Sequence, residues 1–280
     1  MNPKLGQWLL AAGIAALPSI AVAAETLPPV DHFSFSFGAY RAGNDVDMRW
    51  DRSDGSSQGT RLDVKLDLGI DLDGTEPIFE IGASFGHGRH GHRHRLEAFR
   101  YGYDDSASKV LTGTYRIGDE VFVEDADLDG RMEVKLLGLS YTWFFHHDGH
   151  SAFGVGLGAI RYDVSAALAA TAETGEGIQT ASAAFSEAEW VPQLHAEYVK
   201  SLSHRWRVGV DASYVKKSGG SFSGKAVDLG VKAEYFPWQH FGLGLRYNFN
   251  DISLDIERHS FTGGIDIRTH GPQLVGTLRF

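Results

Sequence analysis

Along the second half of the chain, apolar side chains fall at every other position in four consecutive segments. Trp190, Pro192, Leu194, Ala196 and Tyr198 alternate with Val191, Gln193, His195, Glu197 and Val199. Trp206, Val208, Val210, Ala212 and Tyr214 alternate with Arg207, Gly209, Asp211 and Ser213. Val227, Leu229, Val231, Ala233 and Tyr235 do so with Asp228, Gly230, Lys232 and Glu234, and Phe241, Leu243, Leu245, Tyr247 and Phe249 with Gly242, Gly244, Arg246 and Asn248. A period of two is the side-chain repeat of a β-strand, so each segment predicts a strand with one apolar and one polar face. The last eight residues continue the pattern: Leu274, Gly276, Leu278 and Phe280 share one parity, Gln273, Thr277 and Arg279 the other.

The first half repeats the device less regularly. Phe33, Phe35, Phe37 and Ala39, then Phe79, Ile81, Ala83 and Phe85, then Phe153, Val155, Leu157 and Ala159 mark three more strands. Between Met132 and Phe145 the apolar parity changes, from Met132, Val134 and Leu136 to Leu137, Leu139, Tyr141, Trp143 and Phe145, a shift that a β-bulge would accomplish. Residues 93–105 support either parity, with Leu96 and Ala98 on one and Phe99, Tyr101 and Tyr103 on the other. The sum is about ten strands, with eight and twelve as alternatives, because Asp45 to Trp50 and Thr60 to Leu68 also alternate weakly.

A terminal strand that ends on Phe280, after apolar residues at alternate positions, resembles the assembly signal of Gram-negative outer-membrane β-barrels. The resemblance covers nearly the whole mature chain and is similar in plan to the outer membrane protein A and outer membrane protein W types. It implies an all-β fold: a single closed antiparallel transmembrane β-barrel, whose last strand closes on the first, with short periplasmic turns and long extracellular loops. It implies the bacterial outer membrane as location, and outer-membrane lipids, lipopolysaccharide and the barrel assembly machinery as partners of a monomer. Leu274, Gly276, Leu278 and Phe280 are then the assembly signal. Short connections fall near residues 88–92, 146–150, 202–204 and 237–240, and long ones at 42–75, 105–130, 165–186, 216–224 and 250–264. Aromatic residues gather at both ends of the strands, as interfacial girdles do.

The N-terminus agrees with export. Lys4, an apolar run from Trp8 to Val22 and the small residues Ala21, Val22, Ala23 and Ala24 predict a signal peptide over 1–24, leaving 25–280 as one barrel domain. The chain has no cysteine, so strand pairing rather than disulfides must hold it. A net charge of −10 argues against nucleic acid. No Gly-rich phosphate loop follows a strand and opens a helix, and no cofactor is indicated.

Four groups of residues are candidates for chemistry. The predicted inner face carries Glu80, Glu133, Lys135, Gln193, His195, Glu197, Arg207, Asp211, Asp228, Lys232, Glu234, Arg246 and Arg279. In a narrow barrel these either satisfy one another or line a small polar pore. Asp125, Asp127 and Asp129, followed by Gly130, open like a calcium loop, although its twelfth position is Leu136 rather than an acid. His90, His92, His146 and His147 crowd the first two short turns and form a candidate transition-metal set. His259 and Ser260, with Glu257, loosely resemble the pair used by outer-membrane lipid A deacylases, but neighbours on a strand point to opposite faces. The sequence thus favours a non-enzymatic barrel, structural or narrow and porin-like. The alternatives are a surface-exposed binding protein or receptor acting through its long loops, Ser165 to Ser186 among them as a mobile tip, and an outer-membrane lipid hydrolase.

Overall fold

The computed structural model describes residues 27–51, 61–66, 70–88, 91–111, 115–117, 120–122, 126–174, 177–219, 222–258 and 261–280; the expected signal peptide lies outside them. Ten long strands make the barrel: β1 (Phe33–Trp50), β2 (Gly74–Gly88), β3 (Gly91–Leu111), β4 (Ala126–His147), β5 (Ser151–Thr174), β6 (Gly177–Ser201), β7 (Trp206–Lys217), β8 (Phe222–Trp238), β9 (Phe241–Arg258) and β10 (Phe261–Arg279). Each pairs antiparallel with the next, and β10 pairs with β1, so the sheet has no free edge. The seam is completed where the Phe33 N–H donates to the Phe280 carbonyl (3.0 Å) and the Phe280 N–H to Phe33 (2.8 Å). Phe280 also packs on Phe33 and stacks on His240, so the last residue is part of the closure. A short strand, Arg61–Asp63, lies against β1, and Tyr115–Ile117 pairs with Glu120–Phe122.

The strands are much longer than a membrane needs, since about 10 tilted residues cross one. The β5 strand has 24 residues and β6 has 25. On β5 the pleat stays constant while the sequence inverts. On β5, Phe153, Val155 and Leu157 point outward and are exposed, and Arg161 and Asp163 continue that same outward parity. The inward parity begins with Gly154 and Gly156 and ends with Ile160, Tyr162, Val164, Leu168 and Ala170, all buried. The half nearer the short turns is therefore apolar outside, like a lipid-facing barrel. The other half is apolar inside and charged outside, like a water-soluble one.

This inversion corrects three expectations. The parity change between Met132 and Phe145 needs no bulge: the β4 and β5 register runs unbroken from Asp127 opposite Thr171 to Phe144 opposite Gly154. Met132, Val134 and Leu136 face the interior core, and Leu137 and Leu139 face out below them. The one irregularity lies between Phe144 and His146. Residues 93–105 divide the same way, Leu96 pointing out and Tyr103 buried inside. Much of the sequence expected as long loops is paired strand. In particular, where a mobile tip was expected, 165–174 and 177–186 form a ribbon paired in register as far as Thr174 opposite Gly177. Inward apolar residues favour this extension, because Ala166, Leu168 and Ala170 join a core with Val46, Met48, Ile252, Leu254, Ile265 and Ile267.

Candidate functional site

The short-turn half of the lumen is filled by paired charge. Arg207 is the hub: its Nε donates to Glu234 (2.7 Å), its Nη2 to Asp31 (2.8 Å) and its Nη1 to the Pro28 and Pro29 carbonyls (3.3 and 3.4 Å). Arg279 reaches the other oxygen of Asp31 at 2.9 Å. Both guanidinium groups lie about 5 Å from the Phe236 ring centre, within the range of cation–π attraction. Above them, Arg246 pairs with Asp211 (2.8 Å) and Glu80 (3.7 Å). Arg95 gathers Glu97, Glu80 and Glu197, the last two at 3.5 Å.

A cavity of about 60 Å³ lies where this charged network meets Phe99, Tyr101 and Tyr162. Phe99 occupies the space over Gly138, where a Cβ would come within 2.1 Å of its ring, so the glycine lets the aromatic lie across the lumen. Beyond it stands the apolar core of the outer half.

Ten of the twelve charged or histidine side chains expected in the lumen are there: Glu80, His195, Glu197, Arg207, Asp211, Asp228, Lys232, Glu234, Arg246 and Arg279. Glu133 and Lys135 are not. They share the outward parity of β4 and pair with each other on the water-facing surface at 2.6 Å, because Met132, Val134 and Leu136 take the inward positions. The sequence reading missed Arg95, Glu97 and Asp31. The first two share the parity of Phe99 and Tyr101, which was their signal; Asp31 precedes the first strand and had none.

The metal candidates do not assemble. His90 lies outside the described residues, and of His92 only the backbone is described. His146 faces outward, 3.6 Å from Asp148, while His147 takes the opposite face beyond the bulge. Asp125 lies outside the described residues. Asp127 and Asp129 stand exposed on the outer face of β4, an extended strand that cannot wrap an ion as a turning loop does. Among the described residues no three His, Asp or Glu side chains form a metal-ligand set. His259 and Ser260 lie outside the described residues.

On the outer surface, Asp73 accepts the Asn44 N–H at 2.5 Å and pairs with Lys65. Burial pushes its carboxyl up, but Lys65 and the Asn44 N–H outweigh that and hold it below its ordinary value. A depressed folded pKa stabilises above the unfolded value, near 4, and that support is lost as pH falls through the folded one. The hydrogen-exchange protection factor at Ile70, whose N–H donates to the Val64 carbonyl, should therefore fall below about pH 4. Protection that persists in acid would contradict the role given to Asp73.

The geometry defines a closed ten-stranded transmembrane barrel of the outer-membrane type. No protein-family model matches the chain, and no curated protein matches it in sequence. Among solved structures it is similar to the outer membrane protease OmpT from Escherichia coli. That match has a TM-score of 0.60 and 10% identity, and covers 92% of this chain and 100% of that one. Weaker likenesses are the attachment invasion locus protein Ail of Yersinia pestis (TM-score 0.32, 10% identity, 90% and 100% covered) and a Pseudomonas aeruginosa FadL homologue (0.37, 8%, 90% and 91%).

Proposed function

We propose that the chain is a sealed, non-enzymatic barrel of the bacterial outer membrane, exported with cleavage near Ala24 and embedded as a monomer among lipids and lipopolysaccharide. The observation that carries this reading is the filling of the lumen. The Arg207 and Arg279 network, the Arg95 and Arg246 network, the aromatic layer and the apolar core succeed one another along the axis. A solute channel needs a continuous polar path, and side chains such as Val134 and Ile265, both 0% exposed, occupy its course. Sequence alone left the narrow pore open; packing favours the structural barrel. Surface binding is the second reading, favoured by the water-facing outer half, which crossing the membrane does not require.

Conductance tests the proposal. Protein shown to be folded by heat-dependent gel mobility and inserted into planar bilayers should give no single-channel steps. Steady, reproducible steps from such preparations would overturn it.

A further inference from the structure

The apolar belt around the barrel finishes differently at its two ends. At the short-turn end the outward faces close on rings, Phe33, Phe85, Phe153 and Trp206 among them. At the other end the outward apolar runs of β1, β3, β4, β5, β7 and β8 give way to an exposed cation: Arg41, Arg100, Lys135, Arg161, Lys216 and Lys225. In a chain of net charge −10, composition alone does not place cations there. Two of the arginines share one row. The register sets Phe79 opposite Arg100, Arg100 opposite Leu137, Leu137 opposite Arg161 and Arg161 opposite Trp190, so a guanidinium stands on each side of Leu137. Two strand spacings separate them, about 10 Å, which two arginine side chains close by reaching over the leucine. Arg100 makes no ion pair with another described residue. Arg161 meets Asp163 at 3.8 Å with both side chains more than 40% exposed, a pairing worth little in water. Lys135, by contrast, is engaged by Glu133 at 2.6 Å. Trp190, 44% exposed beside Arg161, marks the headgroup level at which amphipathic rings settle.

Two guanidinium groups at the rim of a lipid-facing surface call for an anion at that depth, and their planar forks match phosphate oxygens. Phospholipid offers phosphate at both membrane surfaces, so it does not explain why the cations keep to one end. A phosphorylated glycolipid confined to the outer leaflet does. The surface beyond the arginines suits its sugars. Asp104, Glu133 and Asp163 come next on the outward faces of β3, β4 and β5. Further out, a groove of about 810 Å³ is lined by Ser106, Ser108, Ala167, Ala169, Ser182 and Ala184. The small side chains make the hollow, while carboxylates accept from sugar hydroxyls and serine hydroxyls exchange hydrogen bonds with them. Two charges also line the groove: Asp129 accepts from the Ser108 hydroxyl, and Arg131 makes no ion pair with another described residue. Ser106 lies six residues beyond Arg100, about 20 Å along the strand, so only a headgroup several sugars long touches both. We propose that the outward face of β3 to β6 binds one lipopolysaccharide molecule, with a lipid A phosphate between Arg100 and Arg161 and the core sugars against the acidic row and the groove. The inference rests on the reading of the chain as an outer-membrane barrel.

Full-length protein is refolded in non-ionic detergent and checked by heat-dependent gel mobility. It is then titrated with rough lipopolysaccharide, the same material stripped of phosphate, lipid A without core sugars, and phosphatidylglycerol, and native mass spectrometry counts the molecules bound. Rough lipopolysaccharide should fill one site saturably. Arg100→Gln combined with Arg161→Gln should weaken it by about tenfold or more, the loss of two cations facing an anionic headgroup. Stripping the phosphate should cost wild type as much and the double variant little, because the two changes remove the same contact. Lys216→Gln with Lys225→Gln removes a cation pair set directly opposite each other on β7 and β8, and should bind as wild type does. Phosphatidylglycerol and lipid A should each bind more weakly than rough lipopolysaccharide. The proposal is overturned if lipopolysaccharide binding does not saturate, if the arginine variant binds like wild type, or if the lysine variant loses as much. It is equally overturned if phosphatidylglycerol or lipid A binds as tightly as lipopolysaccharide. Insertion into phosphatidylcholine vesicles, measured by protection from protease, keeps the two readings apart. A barrel that inserts but shows no such preference overturns the site alone, and a chain that does not insert overturns the membrane reading with it.

Discussion

Arginine in place of Leu245 should destabilise the barrel by about 2–4 kcal/mol, the penalty for charge on a lipid-facing strand position near the membrane centre. Leu245 is 59% exposed on the outer face of β9, between the aromatic residues Phe241 and Tyr247. In the outer half the sensitive face is the opposite one. Ile265 is 0% exposed inside the core, so Ile265→Ala should cost about 2–5 kcal/mol through lost burial and the cavity left behind. The outward Lys135→Leu should stay within about 0.5 kcal/mol. The inward control near Leu245 is Gly244→Ala, because an added Cβ there meets nothing closer than 3.4 Å. Gly230 would be a poor control, since its Cβ would press on the Asp211 carboxylate at 2.7 Å. Urea unfolding in lipid vesicles, followed by tryptophan fluorescence, measures all four. A harmless Leu245→Arg would remove the lipid from that face, and a harmless Ile265→Ala would remove the core from the outer half.

The strand number and closure were legible because period-two alternation survives in every segment that faces lipid. Trp206 to Tyr214 and Phe241 to Phe249 read directly as the β7 and β9 faces the structure contains. What alternation does not tell is which face is in. A strand with Ile160, Tyr162 and Val164 on one parity looks the same whether those residues meet lipid or a core. Only the reversal along a single unbroken strand, from Leu157 outward to Ile160 inward, reveals a change of surroundings. The sequence reading took that reversal for a bulge on β4 and for loops elsewhere, and so placed Glu133 and Lys135 in the lumen. The lumen network was recovered where the strands were regular. Arg95 and Glu97 were lost because their segment carries apolar residues on both faces, one set for lipid and one for the plug.

The second large effect is expected at Arg207. Its side chain is 6% exposed and holds two carboxylates, Asp31 also at 6% and Glu234 at 11%. Replacing it with methionine keeps much of the volume but strands Glu234, which has no other ion pair within 4 Å among the described residues, and leaves Asp31 to Arg279 alone. Breaking a buried pair from one side costs about 3–5 kcal/mol, most of it the penalty of the charge left behind. That origin makes a specific demand: Arg207→Met combined with Glu234→Gln should recover part of the loss, and the pair should be strongly non-additive. A network that acted only through packing would show additive losses instead. Arg207 also holds the Pro28 and Pro29 carbonyls, and Leu27 and Val30 are buried beside them, so this one side chain fastens the segment before β1 across the short-turn mouth. Limited proteolysis of Arg207→Met should therefore cut near residues 27–31 while the ten strands remain resistant. If that segment stays protected, Leu27 and Val30 hold it by apolar contact alone, and the arginine serves the charge balance of the lumen but not its seal.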